Sequence, residues 1–356
     1  MHQVEEHIIV AKRKSPGGSP ARKVDLALQG GGSHGAFTWG ALDRLLEDET
    51  LDFAAVSGTS AGALNGAVLA TGFARGGRAG ARRALADFWH DVSHSASPFA
   101  PPVGWVDLQR LPGFEWMSSF WRSFSPYDFN PHNINPLRSL LARHVDLALL
   151  RTSTLRLFVT ATSVHTGQAR VFSGDALSLD ALLASACLPH LFQAVEIDGE
   201  PFWDGGYTGN PALFPLIYDT ETLDLLLIKI NPLVRRATPR RQIDILDRLS
   251  EVTFNASLVG EMRAIAFVSR LVREGRLDPG RYKDLRLHMI ADEEGLAPFG
   301  AASKLDASRV LLERLFALGR GAAERWLAAH GADVGVRASL DIEKSFLAAP
   351  SRSASR

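Results

Sequence analysis

The sequence has little cysteine and no long apolar run. Cys187 is the only cysteine among 356 residues, which excludes an internal disulfide bond and a cysteine-rich metal site. No apolar segment approaches the roughly 18 to 20 residues that span a bilayer, and the Ile8-Ile9-Val10 patch is too short for a signal-peptide core. We therefore expect a soluble, cytoplasmic protein that contacts a membrane or lipid surface, if at all, only from outside.

An excess of either charge is also missing. The 39 basic and 39 acidic side chains cancel, so the composition does not predict nucleic acid as a partner. A small neutral or amphiphilic substrate is compatible with this balance. The hydrophobic content of 46% is sufficient for the core of one large domain or of two smaller ones.

Short apolar segments that alternate with helical patterns predict an α/β fold. An apolar run at residues 24–28 is followed by glycines and by helical spacing over 36–46. A second run at 53–57 leads into another glycine turn and a helix of small residues over 63–70. Two such units in succession predict a mainly parallel sheet with helices on its faces. Further strands are predicted at 155–162, at 223–230, at 285–290 and in a hairpin formed by 194–197 and 201–203 around Asp198-Gly199.

The same sequence patterns divide the chain into segments that differ in apolar content and predicted secondary structure. We expect one catalytic core, with a mainly helical C-terminal part belonging to the same domain and with polar ends that lack the apolar content needed to fold alone. The predicted segments are a flexible tail at 1–23, the core at 24–235 with an aromatic insert at about 95–130, the helical extension at 236–350 and a frayed tail at 351–356.

The turn Gly58-Thr59-Ser60-Ala61-Gly62 is typical of a serine nucleophile. A nucleophile on a tight strand-to-helix turn is exposed above the sheet, and small neighbours avoid collisions there. The amide of Ala61, at the positive end of the following helix, points toward the place where an oxyanion would form. The preceding apolar strand and the following helix supply the context that Gly-x-Ser-x-Gly requires, so the pattern predicts a catalytic role for Ser60.

The glycine loop at residues 30–35, Gly-Gly-Gly-Ser-His-Gly, has two readings. Its spacing fits a dinucleotide-binding turn, but such a site needs an acidic residue at the end of the second strand. Here the nearest candidate, Asp52, stands at the beginning of that strand. As an oxyanion loop, the segment instead offers the amides of Gly31, Gly32 and Ser33 to a substrate oxygen. We favour the oxyanion interpretation.

The base that activates Ser60 has three candidates. His288 and His330 follow in the order expected of a serine, aspartate and histidine triad, but His288 alternates with leucines in a predicted strand and His330 ends a helix. Asp204 ends the predicted hairpin, and Gly205 and Gly206 allow its backbone to pass close to another element. Alone, an Asp-Gly pair is ordinarily interpreted as a plain turn. Together with the serine turn and the glycine loop, it predicts that Asp204 is a catalytic base.

Together these motifs resemble the patatin-like phospholipase family. The resemblance runs from about residue 24 to residue 232, and the part after it is only loosely similar. It is carried by the glycine loop at 30–35, Gly-Thr-Ser-Ala-Gly at 58–62, Ala-Ser-Ala-Cys-Leu-Pro at 184–189, and Asp204-Gly205-Gly206 with Asn210-Pro211.

What the resemblance implies is a lipid acyl hydrolase on a three-layer α/β/α fold, with no metal or other cofactor. It implies Ser60 as nucleophile, Asp204 as base, and Gly31 and Gly32 in the oxyanion hole. One residue departs from the pattern: His34 stands where members commonly have arginine or lysine. A neutral imidazole supplies less fixed positive charge to the oxyanion.

The predicted reaction is the hydrolysis of an acyl ester through an acyl-enzyme. Asp204 takes the Ser60 proton, and the amides of Gly31, Gly32, Ser33 and Ala61 receive the oxyanion. Because an ordinary carboxylate is a weak base, we expect partial burial to raise the pKa of Asp204. The alternatives are a triad esterase that uses His288 and a non-catalytic lipid- or dinucleotide-binding protein.

A cluster of aromatic residues falls in an irregular stretch between the nucleophile helix and the later strands. It fits a lid, an acyl pocket or a wedge into a lipid surface, and equally a small core under a long loop. The residues are Trp105, Phe114, Trp116, Phe120, Trp121, Phe124, Tyr127 and Phe129. A later helical stripe is predicted to be core, formed by Phe254, Leu258, Met262, Ile265 and Val268 or Ser269.

Overall fold

A computed structural model describes residues 21–95, 125–235 and 237–348. Its centre is one eight-stranded sheet with the strand order β5-β6-β3-β2-β1-β7-β8, in which β4 pairs with β3. The strands are β1 Arg22–Leu28, β2 Leu51–Thr59, β3 Arg156–Ser163, β4 Ala169–Ser173, β5 Val195–Ile197, β6 Glu200–Asp204, β7 Asp224–Ile228 and β8 Arg286–Ile290.

The helices flank this sheet along the described chain. The two longest are α2, which has non-helical backbone angles at Gly76 and Gly77, and α8. The helices are α1 Gly35–Leu45, α2 Ala61–Ser95, α3 Pro126–Phe129, α4 Pro136–His144, α5 Leu147–Thr152, α6 Leu179–Ser185, α7 Phe214–Tyr218, α8 Gln242–Arg273, α9 Glu293–Leu296 and α10 Arg309–His330. Short 3-10 turns include Gly32–His34, Gly205–Tyr207 and Ala301–Lys304.

The predicted α/β class with a mainly parallel sheet is confirmed. Strands β3, β2, β1, β7 and β8 run parallel to one another, while β4, β5 and β6 form the antiparallel edge. The predicted hairpin is also present, because Asp198 and Gly199 both have positive φ between β5 and β6. Strand β4 was not predicted. The flexible tail was predicted to end at residue 23, whereas β1 already begins at Arg22.

The core has two parts because alternate residues of a strand face opposite sides of the sheet. On β1, Leu26 and Leu28 pack into the cluster that includes α1, α2 and α10. Ala27 faces the other cluster, which includes Leu258 and Met262 of α8. Helices on both faces give the three layers, and the predicted core stripe of α8 is buried at Leu258, Met262, Ile265 and Ser269.

A buried ion pair ties the amino ends of β7 and β8 together. Asp224 is 3% exposed and accepts hydrogen bonds from Arg286, His288 and the Gly335 amide. Burial opposes ionisation of Asp224, but the bonds from His288, Arg286 and Gly335 outweigh it and lower its pKa to about 2. This cluster lies at the end of the parallel strands away from Ser60, so we assign it to stability.

Replacing Asp224 with asparagine is expected to lower the free energy of unfolding by about 3 kcal/mol near neutral pH, since Arg286 loses its buried partner. A carboxyl group with a depressed folded-state pKa stabilises the protein above its unfolded pKa near 4, and that contribution is lost as pH falls toward 2. Urea unfolding of the two proteins at several pH values measures this. A loss that does not shrink as the pH falls from about 5 to about 3 contradicts the electrostatic explanation.

Candidate active site

The predicted serine turn is formed by the end of β2 and the start of α2. Ser60 is the residue between them and has a φ of 53°, a left-handed conformation that costs free energy for any residue other than glycine. A Cβ atom at Gly58 would lie 2.6 Å from the backbone of Gly62, and one at Gly62 would collide with the carbonyl of Leu28. Both flanking glycines are therefore required by close backbone packing.

The last residue of α6 and the residues just after it form hydrogen bonds to both candidate catalytic residues. The amide of Ser60 donates to the hydroxyl of Ser185 at 2.9 Å, and the amide of Asp204 donates to the carbonyl of Cys187 at 2.8 Å. The sequence indicated this segment only as part of the family resemblance. The structure shows that it connects the serine turn to the end of β6.

Asp204 lies at the end of β6, where β6 pairs with β3 at Ala161. Its side chain is 2% exposed and accepts a hydrogen bond of 2.7 Å from the amide of Gly206. Its backbone carbonyl accepts a hydrogen bond from the Thr162 hydroxyl. A Cβ atom at Gly205 would collide with the carbonyl of Thr160, which explains why the carboxylate is followed by glycine.

The chemical state of Asp204 is set by burial and by three neighbours. Burial raises its pKa to about 6, and hydrogen bonds from Gly206 and from the Ser60 hydroxyl, together with the charge of Lys304, oppose this rise. A carboxylate with a pKa near 6 is a better proton acceptor than one near 4, and it is still ionised at neutral pH.

The glycine loop lies against the serine turn. A Cβ atom at Gly30 would lie 2.7 Å from the Cβ of Ser60. The amide of Gly30 donates to Asn210 at 2.6 Å, and its carbonyl accepts from the side chain of Asn231 at 2.7 Å. Gln29 adds a third anchor, since its side-chain oxygen accepts from the amides of Ile230 and Asn231. The loop is thus fixed from three sides.

This anchoring leaves other amides of the loop available. Among the hydrogen bonds of the described residues, none uses the amide of Gly31, Gly32, Ser33 or Ala61 as a donor. Gly32 has a φ of 59°, which only glycine adopts at little cost. The amide of Gly30 is already occupied by Asn210 and cannot serve a phosphate, which weakens the dinucleotide interpretation.

His34, the residue of the glycine loop that departs from the family pattern, has a buried side chain. Its Nε2 atom is 2.7 Å from the hydroxyl of Ser303, and its side chain is 3% exposed. Burial, followed by the charge of Lys304, lowers the pKa of His34 to about 3. The imidazole is therefore neutral at physiological pH, and the loop carries no positive side chain at this position.

Neither of the two candidate histidines is free to act as the base, and the one cysteine is not a nucleophile. Both ring nitrogens of His288 are engaged, one with Ser339 at 2.9 Å and one with Asp224 at 3.1 Å. His330 contacts Asp333 at the end of α10. Cys187 is buried, and burial together with the charge of Asp204 raises its pKa to about 12, so its thiol is protonated and unreactive.

Several residues of the site were not predicted from the sequence. Asn231 follows the buried strand β7, and a polar residue at the carboxyl end of a parallel strand is a signal that pointed to it. Lys304, whose side chain reaches Asn231, carries no such signal. Most of the aromatic insert lies outside the described residues. Of its members, Tyr127 is exposed, and its hydroxyl oxygen accepts a hydrogen bond from the amide of Ala194.

No group of three or more histidine, cysteine, aspartate or glutamate side chains in the described part of the chain is arranged to hold a metal ion. Within the same residues, no helix combines the length and apolar character required to span a bilayer.

A family match agrees with the motifs. The model of a family described as patatin-like phospholipase matches residues 26–217. Among solved structures, VipD from Legionella pneumophila is similar with a TM-score of 0.42 and 13% identity, over 92% of this chain and 73% of that one. The heterodimeric ExoU-SpcU complex of the Pseudomonas aeruginosa type III secretion system is similar with a TM-score of 0.35 and 17% identity, over 92% of this chain and 58% of that one. The curated protein sequences contain no match.

Proposed function

Because the chain belongs to the patatin-like phospholipase family of lipid acyl hydrolases, we propose that it hydrolyses lipid acyl esters with Ser60 and Asp204 as a catalytic dyad. The observation that carries this proposal is the placement of a buried carboxylate beside the serine turn. Asp204 is 2% exposed, and a Cβ atom at the next residue, Gly205, would lie 3.0 Å from the side chain of Thr59, which precedes Ser60. The pKa of Asp204 is about 6, a value to which burial and the Ser60 hydroxyl both contribute. The dyad is supported further by the engagement of both ring nitrogens of His288 with Asp224 and Ser339, because His288 is the histidine of the alternative triad.

In the first half of the reaction, Asp204 accepts the proton of the Ser60 hydroxyl while Oγ attacks the ester carbonyl carbon. The carbonyl oxygen becomes an oxyanion and accepts hydrogen bonds from the amides of Gly31, Gly32, Ser33 and Ala61. When this tetrahedral intermediate collapses, the bond to the alcohol breaks, and the leaving oxygen takes the proton from Asp204. The acyl group remains on Ser60.

The second half repeats these steps with water. Asp204, ionised again, accepts a proton from a water molecule whose oxygen attacks the acyl carbon. The new oxyanion occupies the same set of amides. Its collapse breaks the bond to Oγ, Ser60 recovers the proton from Asp204, and the fatty acid leaves. All charge development thus occurs between one carboxylate and a fixed set of backbone donors.

A fluorophosphonate probe tests the proposed nucleophile without knowledge of the natural substrate. We expect covalent labelling of the wild-type protein, and we expect peptide mass spectrometry to place the label on Ser60. The label should be absent from the folded Ser60→Ala variant and retained by Ser250→Ala, a serine exposed on α8. Labelling of a different serine in the wild-type protein contradicts the assignment.

The substrate class is tested with a mixed lipid extract. Lipid species that disappear in the presence of the wild-type protein and persist with Ser60→Ala are its substrates. The classes to be distinguished are phospholipids, neutral glycerides, thioesters and polyesters. An extract in which no acyl lipid changes in a Ser60-dependent way is evidence against lipid hydrolysis.

A further inference from the structure

The C-terminal part of the chain contributes to the candidate active site. The 3-10 turn Ala301–Lys304 packs directly on the glycine loop, where a Cβ atom at Gly32 would collide with the carbonyl of Lys304. In the same turn, Ser303 contacts His34 at 2.7 Å. This turn lies far beyond residue 217, where the family match ends.

The side chain of Lys304 extends from this turn to the anchors of the loop. Its ammonium group donates to the side-chain oxygen of Asn231 at 2.7 Å, and Asn231 in turn donates to the carbonyl of Gly30 at 2.7 Å. The ammonium also lies 5.8 Å from the centre of the Phe254 ring. That ring packs on Gly206, next to Asp204, because a Cβ atom at Gly206 would lie 3.0 Å from it.

Lys304 is the cation whose charge acts on both Asp204 and His34. His34 is neutral, as described above, and the charge of Lys304 contributes to that. The charge of Lys304 also lowers the pKa of Asp204. The carboxylate of Glu251 is bonded to Arg235 and Arg248. Burial lowers the pKa of Lys304 itself, and its charged surroundings are Glu251, Asp247 and Asp204, which raise that pKa, and Arg235, which lowers it.

Resting on the proposed function, we infer that Lys304 is a positioning residue whose ammonium supplies the fixed positive charge that the glycine loop lacks at His34. It acts through two neighbours. Its charge favours the ionised form of Asp204, so that Asp204 can accept a proton at a lower pH than it could without Lys304. Its hydrogen bond to Asn231 holds the carbonyl of Gly30 and thereby the loop whose amides receive the oxyanion.

Three substitutions of Lys304 distinguish the effect of its charge from the effect of its hydrogen bond to Asn231. Lys304→Met removes both, Lys304→Gln retains a donor for Asn231 without the charge, and Lys304→Arg retains the charge. For the Met and Gln variants we expect kcat to fall about tenfold or more and the acidic limb of the pH profile of kcat/KM to move up by roughly one unit, with little change in KM. For Lys304→Arg we expect the acidic limb to stay near its wild-type position.

A role that is only structural predicts a different result. If Lys304→Gln has the wild-type pH profile, the charge is irrelevant and the inference is overturned. The melting temperature of each variant identifies those that have lost the fold. Dependence of the wild-type activity on Ser60 is measured in parallel, because its absence would refute the proposed dyad rather than the role of Lys304.

Chemical rescue supplies a second measurement that does not depend on comparing different side-chain shapes. Alkylation of Lys304→Cys with 2-bromoethylamine forms a bond from the cysteine sulfur to an aminoethyl group and releases bromide, which rebuilds an ammonium of lysine length. Cys187 is buried with a pKa of about 12, so it should not react, and treated wild-type protein is the control. We expect rescue to move the acidic limb back; an active, alkylated variant whose limb does not move counts against the inference.

Discussion

Replacing Ser60 with alanine is expected to lower kcat/KM for a chromogenic ester by at least about 10⁴-fold, the largest loss of any single substitution in the chain. The reason is that no other hydroxyl occupies the left-handed turn between β2 and α2 beside the glycine loop. Any residual hydrolysis reflects only water attacking an ester that is held by the backbone amides.

The measurement is steady-state kinetics on purified, folded protein. Ser250→Ala is a matched control because it removes a hydroxyl from the exposed face of α8, and it should retain wild-type kinetics. Circular dichroism and melting temperature verify that both variants are folded. Near-wild-type turnover by Ser60→Ala would require a different nucleophile.

The substitution Asp204→Asn is expected to have the second largest effect, a loss of about 10³-fold or more in kcat, because an amide cannot accept the Ser60 proton. The wild-type enzyme should show an acidic limb in kcat/KM near pH 6, where Asp204 becomes protonated. Below that pH the base is occupied and activity falls. The limb should be absent from the residual activity of Asp204→Asn.

The same variant should be more stable than the wild-type protein above neutral pH. The folded-state pKa of Asp204 is raised from 3.8 to about 6, so the carboxyl group binds its proton more tightly in the folded protein. The resulting stability is present below the unfolded value and is lost as the pH rises through about 6. Asparagine avoids this loss, which we expect to amount to about 3 kcal/mol at slightly alkaline pH.

Urea unfolding at about pH 8 and about pH 4 distinguishes this effect from a general change in packing. The stability difference should be present at the higher pH and nearly vanish at the lower one. Asp175→Asn, on an exposed 3-10 turn, is the matched control and should show neither effect. An Asp204→Asn protein that is both inactive and less stable at alkaline pH would indicate that burial does not penalise this carboxylate.

The sequence was sufficient for most of the sheet. Strands β1, β2, β3, β7 and β8 were predicted because each is a short apolar run, and burial on both faces of a parallel sheet requires such runs. Strand β4 was missed, since its residues are half-exposed or polar except for Phe172. The helix after Ser60 was predicted to end at residue 70, whereas α2 continues past non-helical angles at Gly76 and Gly77 to Ser95.

In the candidate site, too, some residues could be identified from the sequence around them, whereas contacts between residues distant in sequence could not. Gly58, Gly62 and Gly205 could be read from the sequence because each is required by a backbone approach within its own turn or beside a neighbouring strand. The contacts of Ser185, Asn231 and Lys304 could not be read in this way, since they depend on which distant group each side chain reaches across the fold. Hydrogen-bond partners that are distant in sequence leave no local pattern.

By itself, the sequence determined the fold class, the family and the three glycine-framed motifs, because apolar periodicity and turn chemistry are properties of neighbouring residues. Only the tertiary structure decided that the carboxylate of Asp204 is buried with a pKa near 6, that His34 is neutral, and that the side chain of Lys304 reaches the anchors of the glycine loop. Burial and electrostatic coupling depend on distances in space, and those distances exist only once the sheet has brought its strand ends together.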